Sequence, residues 1–225
     1  MTDAAKPRLQ PANENIWYCL ATVYGEQDKA TSRPTARFDE ALEKRNRVAW
    51  NRWIASALSG EQRAELIKRG FFELELVPLP EHERAEFLKA YAERTNAALP
   101  DPRNEGISFR SVLFEHPISF RGFVFPMAVF NNAEFRSKAD FCKAAFFGLA
   151  IFDDATFSSV AYFAEAFFEP GAHFDRVAFS STVDFSKTEF FESALFFDAK
   201  FSSTTYFRQT VFFDDIFFKG ATFSG

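Results

Sequence analysis

Cysteine is scarce in this 225-residue chain. Cys19 and Cys142 stand far apart with no CxxC spacing, a pattern of free thiols in a reducing compartment rather than a disulfide framework. Histidine is equally thin. His82, His116 and His173 are isolated, without HxxxH spacing or a nearby cysteine, so no metal site is expected. The glycine-rich signatures GxGxxG and GxxxxGK and the nucleophile elbow GxSxG are missing, and with them the usual marks of nucleotide-cofactor binding and serine chemistry. Neither a cofactor nor a catalytic set is expected. No uncharged apolar run approaches the roughly 18 residues of a membrane helix. The opening MTDAAKPRLQPANEN has no apolar h-region of a signal peptide, so the chain reads as cytoplasmic, with no membrane contact. Charge of one sign is also lacking. With 26 basic and 31 acidic residues the net charge is −5, too mild for direct nucleic-acid binding through bulk positive potential.

What the chain has in excess is phenylalanine, 33 residues, beside only nine glycines and ten prolines. One side chain is repeated without low complexity. From Phe109 onward it recurs at 114, 120, 125, 130, 135, 141, 146, 152, 157, 163, 168, 174, 179, 185, 190, 196, 201, 207, 212, 218 and 223. The steps alternate between five and six, and only Phe125 to Phe130 is one residue short. A second track of small residues lies two positions earlier, from Ala128 through Ala172 and on to Ala221, with Val177, Val183, Thr188, Thr205, Thr210 and Ile216 among them. In extended chain, positions i−2 and i face the same side, so both tracks face one interior. Neither a 3.6-residue period nor long alternation is present. Very short strands joined by tight corners fit, and they stack into a solenoid with one shared core.

The repeated A-x-F followed by two or three polar positions, with GATFSG at 220–225, resembles the pentapeptide-repeat family in its eleven-residue, phenylalanine-rich variant. The resemblance covers about 107–225. It implies a right-handed quadrilateral β-helix of about five coils, preceded by a mostly α-helical N-terminal cap. Two units follow: a head over 1–106 and a β-helix over 107–225.

The head has a different grammar. Phe38–Leu58 carries a helical apolar stripe, and Ser59-Gly60-Glu61-Gln62 reads as a capping box opening a second helix to about Arg69, closed by Gly70. Phe72, Leu74 and Leu76 alternate with Glu73 and Glu75 as a short strand, and Pro80–Ala98 reads as a third helix. IWYCLATVYG at 16–25 is apolar but undecided between states. A first coil needs a cap, and the first inward positions, Ile107, Val112, Ile118 and Phe123, are larger than the alanines that follow. WYCL and NRVAWNRW resemble heads placed before such repeats in bacterial proteins. Lys44, Arg45, Arg47 and Arg52 read as a solvated helix face, since the head holds 16 basic and 17 acidic residues. Cys142, next to a ladder phenylalanine, reads as a surface thiol, and Asp153-Asp154 and Asp214-Asp215 as corner residues.

Function is then expected on the outside. One outward column runs Val129, Ile151, His173, Leu195, Phe217, and the adjacent corner carries Phe147, Glu169, Phe191, Phe213. Phe147 with Ile151, Phe191 with Leu195 and Phe213 with Phe217 form an apolar edge of the kind that marks contact surfaces. The expected function is a non-enzymatic protein-interaction or scaffold module with an unidentified protein partner. A homodimer through that stripe or through the last coil is also expected, because the ladder runs to the final residues. The family resemblance implies an alternative, a DNA mimic acting on type II topoisomerase such as DNA gyrase. Duplex DNA carries one charge per ~1.7 Å, and a rod of roughly 26 Å at ~4.8 Å per coil calls for roughly 15 negative charges. The repeat region has 14 acidic and 10 basic residues.

Overall fold

Each five-residue step of the ladder is a turn. In the computed structural model, which describes residues 7–28, 37–103 and 106–225, the Ala133 N–H donates to the Phe130 carbonyl at 3.0 Å. Asn132, between them, has φ +55°. A left-handed third residue is what a type II turn requires. The same conformation recurs at Lys143, Asp154, Glu165, Arg176, Lys187, Asp198 and Gln209, and at Gly122 and Gly220. The chain therefore turns at fixed intervals, and strands of two or three residues lie between, from Ile107–Ser108 to Thr222–Phe223.

These strands form four parallel sheets of six, six, five and five strands, the four sides of a β-helix of about five coils. We number the faces in chain order, beginning with Ile107–Ser108 on face 1, Val112–Phe114 on face 2, Ile118–Ser119 on face 3 and Val124–Phe125 on face 4. Ala128 pairs with Ala150, then Ala172 and Ala194, a repeat of 22 residues. The first coil is one shorter, since Ile107 pairs with Ala128. The residue is missing at the corner between faces 4 and 1, where Pro126-Met127 stands in place of a triplet such as Phe147-Gly148-Leu149. The closer approach is absorbed by Gly148, where a Cβ would collide with the Pro126 carbonyl oxygen.

Inside, the phenylalanines make four columns. Phe109, Phe130, Phe152 and Phe174 stack with centroids 4.6–4.9 Å apart, matching the ~4.8 Å spacing of strands. Neighbouring columns meet edge to face, as Phe141 does with Phe152 at 89°. Both arrangements suit the ring quadrupole. The small track closes the corners. Where Thr188 takes an alanine position, its hydroxyl donates to the Phe163 carbonyl at 2.7 Å, so the buried polar group is satisfied.

The first coil has unpaired strand edges, and the head supplies partners for them. β1 (Gln10–Pro11) pairs in parallel with Val112 and Leu113 and so extends face 2. The Asn15 amide caps α1 (Ile16–Ala21) through the Trp17 and Tyr18 N–H groups and donates to the Ser108 carbonyl on face 1. On face 4, from α2 (Glu40–Ile54), Asn51 accepts from the Val124 N–H at 3.0 Å and donates to the Gly122 carbonyl at 2.9 Å. The Trp50 indole N–H donates to the Val124 carbonyl at 2.8 Å, and its rings lie against Phe123 and Phe125. Head and rod share one hydrophobic core. α3 (Gly60–Lys68) has the expected capping box of Ser59 and Gln62 and is followed by Gly70 at φ +86°.

Three expectations for the head change. The undecided 16–25 segment contains α1. The third helix, α4, is Glu81–Arg94, shorter than Pro80–Ala98. Residues Glu73–Leu76 form a 3-10 turn rather than a strand. There, Glu75 turns inward to Arg47, with oxygen–nitrogen distances of 3.0 and 3.1 Å, and Leu76 is buried beside it. Phe72 and Leu74 are left outside, 68% and 81% exposed. The buried ion pair overrides simple alternation.

Candidate interaction surfaces

The sequence-derived stripe exists along the corner of faces 4 and 1, but its two ends differ. Phe147, expected to face solvent, is only 8% exposed. It shares a cleft with Ser59, Gln62 and Lys68 of the α3 segment, and its ring meets Phe167 at 5.4 Å. The head lies alongside the rod as well as beneath it, which the repeat pattern could not reveal. From there the aromatics continue upward, Phe167 to Phe191 at 5.1 Å and Phe191 to Phe213 at 4.4 Å. Arg69, which ends α3, holds its guanidinium 3.9 Å from the Phe167 centroid and 5.2 Å from that of Phe191. It also pairs with Glu189 at 2.8 Å and Glu65 at 2.9 Å.

Above Arg69 the stripe is open. Phe213 is 59% exposed and Phe217 38%, with Val211 exposed beside them. Ile151 and Leu195 are half-buried on face 1, separated by His173 in the same column. Phe167 is the link that sequence reading missed. It is the outward strand residue of face 4, in register with Val124, Ala145, Glu189 and Val211. The signal was present in the same register count that found face 1. In the last coil the rungs themselves lose cover, Phe207, Phe212 and Phe218 being half-buried and Phe223 57% exposed.

Residues 143–189 of this rod match the family model for pentapeptide repeats (9 copies). That stretch of the solenoid is pentapeptide repeat. Neither a curated protein nor a solved structure matches the chain.

Beside the rod, the head's basic residues are dispersed rather than pooled. Arg45 stacks on Tyr24, Arg47 pairs with Glu75, and Arg52 pairs with Glu83. The Arg47 and Arg52 side chains are largely buried, so the solvated face expected for them is restricted to Lys44 and Arg45. Cys142, expected at the surface, is buried. Burial and the neighbouring Asp140 carboxylate push its thiol far up from its ordinary value, against the pull of Arg121, so its thiolate is suppressed. Asp153 and Asp154 do lie at a corner. Asp153 accepts from the Asp175 N–H one coil on, and Asp154 grips Arg176 through both oxygens at 2.7 and 2.8 Å.

Two clefts separate head from rod. One, of about 840 Å³, lies between α2 and face 3 and is lined by Phe38, Glu43, Lys44, Lys138, Asp140 and Tyr162 among others. There Glu43 accepts from the Ser119 hydroxyl at 2.8 Å, while Arg121 pairs with Asp140 at 3.1 Å. Burial raises the Glu43 carboxyl above its ordinary value, Ser119 and Arg121 opposing, and lowers the Lys138 ammonium. The second, of about 820 Å³, runs between the α3 end and the corner of faces 3 and 4. Among the described residues no group of three or more His, Cys, Asp or Glu side chains is placed to hold a metal ion, and no helix is long and apolar enough to cross a membrane.

Proposed function

We propose that this protein is a non-enzymatic interaction module in which a rigid rod presents an aromatic edge to a protein partner. The observation that carries the reading is the open upper edge. Phe213 and Phe217 stand out from a rod whose other outward aromatics are covered or half-buried. Aromatics concentrated at one edge, with a fixed backbone, supply contact area at little ordering cost. The stacked core makes the presentation rigid, since every strand is paired with at least one neighbour in its sheet and those of the inner coils with two.

A second copy is the first partner to test, through the edge or through the half-covered rungs of the last coil. Light scattering across a concentration series should show self-association of the wild type and its loss in a Phe213→Asp/Phe217→Asp variant. A monomer mass at every concentration, together with unchanged capture of host proteins by that variant, would remove the edge from the proposal. DNA mimicry is separated by a gyrase supercoiling assay. The module reading expects no inhibition and no protection at micromolar protein.

A further inference from the structure

The second cleft has features that the stripe does not. One wall is the corner column Gly122, Lys143, Glu165, Lys187, whose members are one coil apart. The other is the end of α3 with Gly70, Phe71 and Phe72. The lining carries Arg47, Lys68, Arg69, Arg121, Lys143 and Lys187 against Glu65, Glu75, Glu165 and Glu189. Six cations against four carboxylates leave it at 6 − 4 = +2, in a chain whose net charge is −5. The surplus is local. Arg47, Arg69 and Arg121 are committed to Glu75, Glu65 with Glu189, and Asp140 respectively. Lys143 is exposed and holds Glu165 loosely at 3.5 Å. Lys187 is exposed and has no ion pair among the described residues. Lys68 shares with Arg69 the Glu65 carboxylate, at 3.6 Å, so on the rod wall the available positive charge sits on Lys143 and Lys187.

The lip is apolar. Phe72 and, two residues on, Leu74 are the most exposed large apolar side chains among the described residues. They are held out by the 3-10 turn that buries Glu75 and Leu76. An exposed phenylalanine at the lip of a charged groove is an anchor for an apolar side chain, with the lysines beyond it reading charge.

We propose that this groove binds an acidic peptide segment carrying an apolar residue. Two coils separate Lys143 from Lys187, about 10 Å at ~4.8 Å per coil, which an extended chain covers in about three residues at ~3.3 Å each. Because same-side positions of an extended segment are two residues apart, the segment has two carboxylates spaced i and i+2 or i and i+4, about 7 or 13 Å, which the flexible lysine stems bridge, with Leu or Phe beyond them for the Phe72 lip. A nucleic-acid strand fits less well, because its regular phosphates would pass Glu65, Glu165 and Glu189 as often as the lysines. The site is separate from the Phe213–Phe217 edge, so either can fail alone.

The test is selection from a displayed random dodecapeptide library on the full chain, with counter-selection on a Lys143→Glu/Lys187→Glu variant. Glu165 already occupies the same left-handed corner position, so the backbone accepts glutamate there. A matching melting curve checks the fold. Enriched peptides should carry paired Asp or Glu with an apolar residue. As labelled peptides they should bind the charge-reversed variant at least about tenfold more weakly, the Phe72→Ser variant more weakly too, and the wild type more weakly as salt rises. Selected peptides without acidic residues, affinity unchanged by the charge reversal, no enrichment, or tighter binding of a labelled dT12 oligonucleotide than of any selected peptide would each overturn the proposal.

Discussion

At the scale of single residues, the corners are where the sequence works against its own backbone. A left-handed non-glycine residue costs roughly 1–2 kcal/mol, yet nine such residues are used among the described residues. Glycine would relieve that cost but add roughly 0.5–1 kcal/mol of chain entropy to lose. Gln209→Gly is therefore expected to be neutral or stabilising by up to about 1 kcal/mol, and Gln209→Val destabilising by about 1 kcal/mol or more, both read from urea unfolding. Gly148 is the opposite case. A methyl group there meets the Pro126 carbonyl in the short first corner, so Gly148→Ala should cost about 1–3 kcal/mol as overpacking does, while Gly60→Ala, where the added carbon meets nothing, should not. Thr188 is held by a hydrogen bond to a carbonyl that also accepts from the Ala166 N–H. Its loss in Thr188→Val leaves no orphan, which is why valine can fill the equivalent track positions 177 and 183.

At the scale of elements, the four ring columns and the head–rod seam carry the stability. Phe163 is fully buried, stacked on Phe141 and Phe185, so Phe163→Ala should cost about 3–5 kcal/mol. Phe223, more than half exposed with a neighbour on one side only, should cost well under half of that. Equal losses in denaturant titrations would mean that the last coil is covered in solution. The seam gives a pH dependence. Glu43 lies in it near Ser119, Arg121, Asp140 and Arg47, with its carboxyl raised above the 4.5 of an unburied glutamate. Because the folded state holds its proton more tightly than the unfolded chain, stability from this group is greatest below that value and falls as pH rises through the folded pKa. Glu43→Gln, which keeps an acceptor for Ser119, should melt above wild type at pH 7 and converge with it near pH 4.

At the scale of the whole molecule, the head extends the rod rather than hanging from it. Asn51, Trp50, Asn15 and β1 satisfy the first coil's free edges, and Arg69 carries α3 onto face 4. Deleting the head should therefore unfold or aggregate the first coils, not release a folded rod; circular dichroism and light scattering of a 107–225 fragment check this. The same placement divides the outer surface. It covers the lower stripe, leaves Phe213 and Phe217 open, and creates the basic groove on the other side of α3.

The solenoid, its coil length, the inward rungs and even the short first corner were legible in the residues alone. A two-track period is a local rule, repeated often enough that no distant contact can override it. The capping box of α3 was legible for the same reason, since its partners are three residues apart. Only the tertiary structure decided which outward residues are surface. Phe147 and Cys142 follow the outward register but are buried. Phe72 and Leu74 follow an inward pattern but are exposed, because Glu75 is drawn in by Arg47 from 28 positions away. Those outcomes depend on where the head's helices lie against the rod, a set of long-range contacts between segments of different grammar, and no periodicity within either segment encodes it.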